Sequence, residues 1–129
     1  MTAVTDLPTL EAAIQLYFDV LYECDMAKFD LVFHPACNLY LASGNETAAT
    51  ELSAYRKIVA GRKSPESLGL PREESVEAIQ IAGRDLAVVT LLSRVFDKRY
   101  KDCLTLARDK AGWRVVAKAY VLHEDMGQS

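Results

Sequence analysis

The order of periodic patterns along the chain constrains its fold more than any single residue does. Three helix-type segments come first, and strand-type runs then fill the C-terminal half up to residues 112–116. A helical half followed by an antiparallel half predicts an α+β domain whose helices cover one face of a curved sheet. Because such a sheet wraps over the helices, its concave interior is expected to offer a pocket.

The three predicted helices follow apolar side chains spaced by three and four residues. The first spans residues 9–24, and Asp25 is expected to cap a second helix that runs through Phe33. Pro35 ends that helix, since proline disfavours a helical backbone at the preceding residue. The third helix is predicted from Thr50 to Gly61, and residues 61–74 form a long exposed loop of the kind that is often functional or mobile.

Five segments carry strand patterns, namely residues 37–42, 75–82, 86–96, 100–108 and 113–122. The last two are expected to form a hairpin through residues 109–112. Residues 86–96 are nearly all apolar at odd and even positions, which predicts a strand that is covered on both faces. This two-sided apolarity suggests a homodimer formed through the outer face of the sheet.

Length and composition predict a single domain over residues 1–129 with its own core. Half of the residues are apolar and 26% are charged, as in soluble globular proteins. The formal net charge of −3 argues against nucleic acid as the main partner, because phosphate backbones require a basic surface.

The cysteines and histidines give no sign of a metal or redox site. The three cysteines are scattered without a C-x-x-C spacing, which is typical of reduced thiols in a cytoplasmic protein. The two histidines lie far apart, so neither a metal nor another cofactor is expected. Residues 1–6 do not form a secretory signal, and no apolar stretch reaches the ~18 residues of a membrane span.

Several short motifs occur in an order that is similar to that of a known superfamily. They are Tyr17-Phe18-x-x-Leu21, Asp25, Phe33-His34-Pro35-x-Cys37, Tyr100-x-Asp102-x-Leu104-Thr105-Leu106 and Gly112-Trp113-Arg114-Val115-Val116-x-Lys118. On these residues the chain resembles the nuclear-transport-factor-2-like superfamily, also called cystatin-like or SnoaL-like, and within it the branch described as "putative lumazine-binding". The resemblance implies a cone of three N-terminal helices packed on a strongly curved, mostly antiparallel mixed sheet. It also implies a homodimer, but it does not select one function, because this fold carries many.

Tyr17 matches the helix position of the tyrosine that ketosteroid isomerases of this superfamily use to stabilise an enolate. The same resemblance implies a carboxylate base near Leu41, yet residues 37–42 contain neither Asp nor Glu. Because a tyrosine alone does not supply a base, steroid-isomerase chemistry is not predicted. The alternative for Tyr17 is a core residue whose hydroxyl has one hydrogen-bond partner.

Asp102 and Lys118 are expected to face each other across the C-terminal hairpin. If the turn centres near residues 110–111, both side chains share an apolar face with Val116 and Tyr120. Two opposite charges on such a face should pair, since an unpaired charge there is costly. The pair either shapes a site or only fixes the strand register.

Three further residues are candidates for the walls of the pocket. His34 lies between a helix and a strand, where it either faces the pocket mouth or caps the second helix. Tyr40 and Tyr55 are aromatic residues that suit a flat, partly polar ligand, although core packing is the stronger explanation for either one alone.

Two functions therefore remain open from the sequence. The first is a small-molecule-binding domain without chemistry, whose site is shaped by Tyr17, Tyr40, Tyr55, Asp102 and Lys118. The second is a cofactor-free lyase or isomerase that acts on a small cyclic substrate, with Asp102 or His34 as base and Tyr17 as hydrogen-bond donor.

Overall fold

The computed structural model describes residues 8–127. The helices are α1 (Leu10–Glu23), α2 (Met26–Val32) and α3 (Leu52–Gly61). The strands are β1 (Phe33–Ala42), β2 (Thr47–Glu51), β3 (Glu74–Ile81), β4 (Leu86–Val95), β5 (Lys98–Asp109) and β6 (Gly112–Asp125). Among the described residues, three helices accompany an open six-stranded sheet, which confirms the predicted α+β class.

The first two helices lie within their predicted ranges, but α2 ends at Val32, and Phe33 and Pro35 already belong to β1. The side chain of Thr9 accepts a hydrogen bond from the backbone N–H of Ala12 at 3.1 Å, which satisfies one of the free donors at the start of α1. Cys24 ends α1 in a left-handed conformation with φ 55°. Asp25 caps α2 by accepting from the N–H of Lys28 at 3.1 Å, as expected.

The predicted start of the third helix at Thr50 is wrong. Residues Thr47–Glu51 form β2, which pairs with β1 in antiparallel register, and α3 begins only at Leu52. The helix does end near Gly61, as predicted. The strand has only five residues, too few for a periodic signal, so its pairing with β1 rather than local propensity decides its conformation.

The strands follow the order β2-β1-β6-β5-β4-β3, and only β1 and β6 are parallel. One face of the sheet packs against α1 and α2 and forms the core. Its largest fully buried side chains include Tyr17, Phe29, Leu39, Leu91, Leu104 and Leu106. This inner face carries the candidate site.

A bulge in β6 changes which residues face the core. Thr105 pairs with Ala117, whereas Leu106 pairs with Val115, so Val116 is an extra residue in β6. Val115 is fully buried and Val116 is only half-buried, which corrects the predicted place of Val116 on the inner face. Lys118 keeps its inward position because the bulge precedes it.

Strand β4 is covered on one face only within the single chain. Its odd-numbered residues from Ala87 to Ser93 are buried, whereas Val88, Thr90 and Leu92 on the outer face remain half-exposed. The expected coverage of both faces is therefore not provided by the chain's own described residues.

Candidate functional site

A cavity of about 100 Å³ opens between the helices and the inner face of the sheet. Its walls are formed by Leu21, Tyr55, Arg62, Ser93, Val95, Tyr100, Asp102, Lys118 and Tyr120. A drug-sized ligand needs a pocket of roughly 300 Å³ or more, so only a small group can be enclosed here.

Strand alternation brings most of the polar wall together. Ser93 pairs with Tyr100 across β4 and β5, and Asp102 pairs with Tyr120 across β5 and β6. Residues that are directly opposite share a face, so all four side chains are on the inner face. Lys118 precedes Tyr120 by two residues and shares that face.

The predicted ion pair between Asp102 and Lys118 is present, although the two residues are diagonal rather than directly opposite. Lys118 lies opposite Leu104, and its Nζ is 4.0 Å from Oδ2 of Asp102. The exposed fractions are 1% for Asp102 and 4% for Lys118. Both charges are therefore shielded from water, and burying either one without the other would be costly.

Two tyrosines support this pair from the helices. The hydroxyl of Tyr17 on α1 donates to Oδ2 of Asp102, and Nζ of Lys118 donates to the hydroxyl of Tyr55 on α3 at 3.3 Å. The ammonium also lies 5.2, 5.0 and 4.7 Å from the ring centres of Tyr17, Tyr55 and Tyr120. Such cation–π contacts stabilise a charge that has lost its water.

The protonation states follow from this environment. Burial raises the pKa of Tyr17 well above its usual value, and the neighbouring Asp102 carboxylate raises it further, so Tyr17 stays a donor. Burial alone lowers the pKa of Lys118, but Tyr55 and the Asp102 carboxylate more than offset this effect and raise it. Lys118 is therefore a cation at neutral pH and not a base.

Two buried polar atoms of the cavity wall lack a hydrogen-bond partner among residues 8–127. They are Oγ of Ser93 and Oδ1 of Asp102. A buried atom without a protein partner is normally satisfied by an ordered water or a ligand, because leaving it unpaired costs about 1–3 kcal/mol. Both residues line the cavity, so these two atoms are the unpaired hydrogen-bonding groups that lie nearest to an incoming molecule.

Arg62 follows α3 and brings a third charge to the cavity. Its guanidinium carbon lies 5.8 Å from the ring centre of Phe96, and it makes no ion pair with any residue between 8 and 127. Because Asp102 and Lys118 neutralise each other, Arg62 gives the wall a formal charge of +1.

Three of the predicted site residues do not line the cavity. Tyr17 is fully buried and reaches Asp102 from the core. Tyr40 is 38% exposed and lies on the outer face of β1, because its neighbour Leu39 faces inward. His34 lies at the start of β1, toward the β5–β6 turn, where its Nδ1 accepts from the N–H of Ala36 at 3.0 Å.

The sequence reasoning missed other wall residues as site candidates, chiefly Arg62, Ser93, Tyr100 and Tyr120. Strand periodicity could have identified Tyr100 and Tyr120, since each lies two residues from Asp102 or Lys118 and so shares its face of the sheet. Ser93 is the one polar residue at the inward positions of β4 from Ala87 onward, which is also a readable signal. No sequence pattern points to Arg62, because only the packing of α3 places it there.

The described part of the chain gives two further results. No group of three or more His, Cys, Asp or Glu side chains within residues 8–127 is arranged to hold a metal ion. Within the same residues, every helix is too short or too polar to cross a lipid bilayer.

The family model with the description "Putative lumazine-binding" matches residues 5–121. Among curated protein sequences none matches the chain significantly.

Solved structures show the same fold. A nuclear-transport-factor-2-like protein of unknown function from Silicibacter pomeroyi is 17% identical with a TM-score of 0.77, over 89% of this chain and 93% of that one. A cystatin-like fold protein from Burkholderia xenovorans is 21% identical with a TM-score of 0.66, over 88% of each chain. A ketosteroid isomerase-like protein from Erwinia carotovora atroseptica is 13% identical with a TM-score of 0.62, over 90% and 95%. The family match confirms the predicted "putative lumazine-binding" branch. The solved structures confirm the predicted fold, and at these identities their similarity concerns the fold alone.

Proposed function

Since the chain belongs to the family described as "Putative lumazine-binding", we propose that it binds a small molecule in the cavity between the helices and the inner face of the sheet. The single observation that carries this proposal is the pair of unpartnered polar atoms in the wall, Oγ of Ser93 and Oδ1 of Asp102. Folding normally pairs such atoms, so a wall that leaves two of them open favours an incoming partner.

The kinds of residue in the wall also support this proposal. Tyr55, Tyr100 and Tyr120 supply contact area, and each hydroxyl supplies one directional hydrogen bond. Lys118 is already fixed by Asp102 and Tyr55, so a ligand does not have to order it. Preorganised groups of this kind lose little entropy on binding.

A fragment screen by NMR on the isotopically labelled chain tests the proposal. We expect small polar fragments to shift the amide signals of residues around Ser93, Asp102 and Lys118. The variant Ser93→Leu fills the cavity and should abolish these shifts, whereas Thr90→Leu on the outer face of β4 should leave them unchanged. Fragments that bind Ser93→Leu as well as the original chain, or an absence of shifts near the cavity, contradict the proposal.

A cofactor-free lyase or isomerase is the second candidate, and the unpartnered oxygen of Asp102 favours it. A carboxylate oxygen with no other hydrogen bond can accept a proton from a bound substrate. Tyr17 already donates to Asp102, so Tyr55 or Tyr120 would have to stabilise the developing charge. Exchange of substrate C–H for deuterium that stops in Asp102→Asn would support this candidate, whereas binding without exchange supports the first.

We also propose that two copies associate through the outer face of the sheet. Apolar and small side chains occupy its centre, including Val88, Leu92, Ala119 and Val121. An exposed apolar patch of this kind is typical of an interface. Light scattering should give twice the 14.3 kDa chain mass, and Leu92→Lys should halve it. A single-chain mass for the unmodified protein contradicts the dimer.

A further inference from the structure

The charges and donors of the cavity wall specify the kind of ligand in more detail. Hydrogen-bond donors dominate the wall, since Arg62, Lys118, Tyr55, Tyr100 and Tyr120 can each donate into it. The carboxylate of Asp102 is the one side chain of the wall that only accepts. A ligand that fits this wall is therefore rich in acceptor oxygens and carries at least one donor.

Arg62 sets the sign of the ligand's charge. It is the one cation of the wall without an opposite charge nearby among residues 8–127, and it is half-buried, which reduces solvent screening. A guanidinium presents paired N–H donors in a plane that matches a carboxylate. A carboxylate near Arg62 would neutralise the wall.

Asp102 and Lys118 together determine which kind of hydrogen-bond donor the ligand carries. The free Oδ1 of Asp102 requires an O–H or N–H donor. An ammonium group there would approach the Lys118 cation, whose Nζ lies 4.0 Å from the same carboxylate, and like charges at this distance repel strongly when buried. A neutral hydroxyl satisfies Asp102 without that penalty, and it can accept from or donate to Ser93.

We propose, on the premise that this cavity is the ligand site, that the ligand is a small hydroxycarboxylic acid. Its carboxylate binds Arg62, and its hydroxyl donates to Asp102. The cavity of about 100 Å³ is well below the roughly 300 Å³ of a drug-sized pocket, so it can enclose only part of such an acid. The hydroxyl-bearing carbon and its neighbours therefore fill the enclosed part, beside the tyrosine rings.

Two sets of matched probes test this assignment by NMR titration of the full chain. The first set is lactate, propionate and propane-1,2-diol, and the second is mandelate, phenylacetate and 1-phenylethane-1,2-diol. Each set removes either the hydroxyl or the charge from a hydroxy acid of similar size. We expect the hydroxy acid of at least one set to bind about tenfold or more tightly than both of its analogues, because each loses one charge-assisted hydrogen bond.

Paired variants assign the charge recognition to Arg62. Arg62→Gln should weaken binding of the hydroxy acid about tenfold and leave the diol unaffected. Lys63→Gln removes the same charge from the neighbouring exposed position and should change neither affinity. Equal weakening in both variants would show that only the overall charge matters, which overturns the role of Arg62.

The outcomes separate this inference from the proposed function. If neutral fragments bind in the cavity but no hydroxy acid exceeds its analogues, the hydroxy-acid assignment fails and ligand binding stands. If a simple carboxylic acid binds as tightly as its hydroxy acid, the role of Asp102 fails. If no probe or fragment perturbs the cavity residues, both the assignment and the proposed function fail.

Discussion

The Asp102–Lys118 pair and a surface network, in which Arg72, Arg94 and Arg99 bind Asp19 and Glu73, place the same kinds of charge in different environments. In the network, Arg72 binds Asp19 at 2.6 Å and Arg94 binds Glu73 at 2.5 Å, while a third arginine, Arg99, shares Glu73. The buried pair is more loosely spaced, at 4.0 Å. The shorter distances do not imply larger contributions to stability, because water and salt reach these side chains, which are 16–36% exposed, and screen their charges. Burial rather than distance is therefore the main difference between the two regions.

The loop that connects α3 to β3 is held against α1 by several contacts. The sequence indicates a long exposed segment, of a kind that is often mobile. In the structure, the N–H of Glu66 donates to the carbonyl of Tyr22 at 3.0 Å, and the Tyr22 hydroxyl donates to the carbonyl of Leu70 at 2.8 Å. The guanidinium of Arg72 lies 5.2 Å from the Tyr22 ring. These contacts tie the loop to α1, so Arg62 at its start is attached to an anchored segment.

Lys118→Met should have the largest effect on stability. It leaves Asp102 as a buried carboxylate without a counter-charge, which costs about 3–5 kcal/mol of the free energy of unfolding. Urea unfolding monitored by circular dichroism measures this loss. The double variant Asp102→Asn/Lys118→Met removes both charges and should lose less than the sum of the single variants. A loss below about 1 kcal/mol for Lys118→Met would mean that the pair behaves as an exposed one.

Tyr17→Phe should have the next largest effect. It removes the hydroxyl that donates to Asp102, and a buried acceptor that loses its partner costs about 1–3 kcal/mol. Tyr40→Phe is the matched control, because that hydroxyl lies on the exposed outer face and makes no hydrogen bond within residues 8–127. The same unfolding experiment compares them, and equal losses would argue against the support of Asp102 by Tyr17.

Acid should weaken the surface network by a smaller amount. Hydrogen bonds from Arg94 and Arg99 lower the pKa of Glu73. Partial burial raises the pKa of Asp19, but the hydrogen bonds from Arg72, Gln15 and Lys28 outweigh it and lower the pKa overall. Carboxylates with lowered folded pKa values stabilise the protein above their unfolded pKa of about 4, and they lose this contribution as the pH falls through the folded pKa.

Unfolding free energies between about pH 5 and pH 2 test this acid effect. The loss attributable to the network should shrink in high salt and in Glu73→Gln, since both remove the same attraction. An acid loss that neither salt nor Glu73→Gln alters would have to come from other groups.

Arg99→Met should produce the smallest change. Its partners Glu73 and Glu124 are both partly exposed, and Glu73 keeps its contact with Arg94. We therefore expect a shift in unfolding midpoint well below that of Tyr17→Phe. A shift as large as that of Lys118→Met would reverse the comparison between the two regions.

The predictable parts of the molecule are those governed by local periodicity and capping. The helical pattern of residues 9–33 and the cap at Asp25 gave α1 and α2 nearly to the residue, and the hairpin of β5 and β6 turns where expected. The same alternation identified Asp102 and Lys118 as neighbours. It failed for Val116, because a bulge adds one residue to β6. The alternation of inward and outward side chains is therefore shifted by one residue in the part of β6 that precedes the bulge.

The sequence by itself determined the α+β class, the cap of the second helix at Asp25 and the shared face of Asp102 and Lys118, because each depends on spacing within one or two adjacent segments. The tertiary structure alone decided the pairing of β2 with β1, the place of Arg62 beside the cavity and the exclusion of His34 from it. These features join residues that are distant along the chain, such as Tyr17 and Asp102. Their geometry depends on how whole helices pack against the sheet, and no short-range sequence pattern encodes that packing.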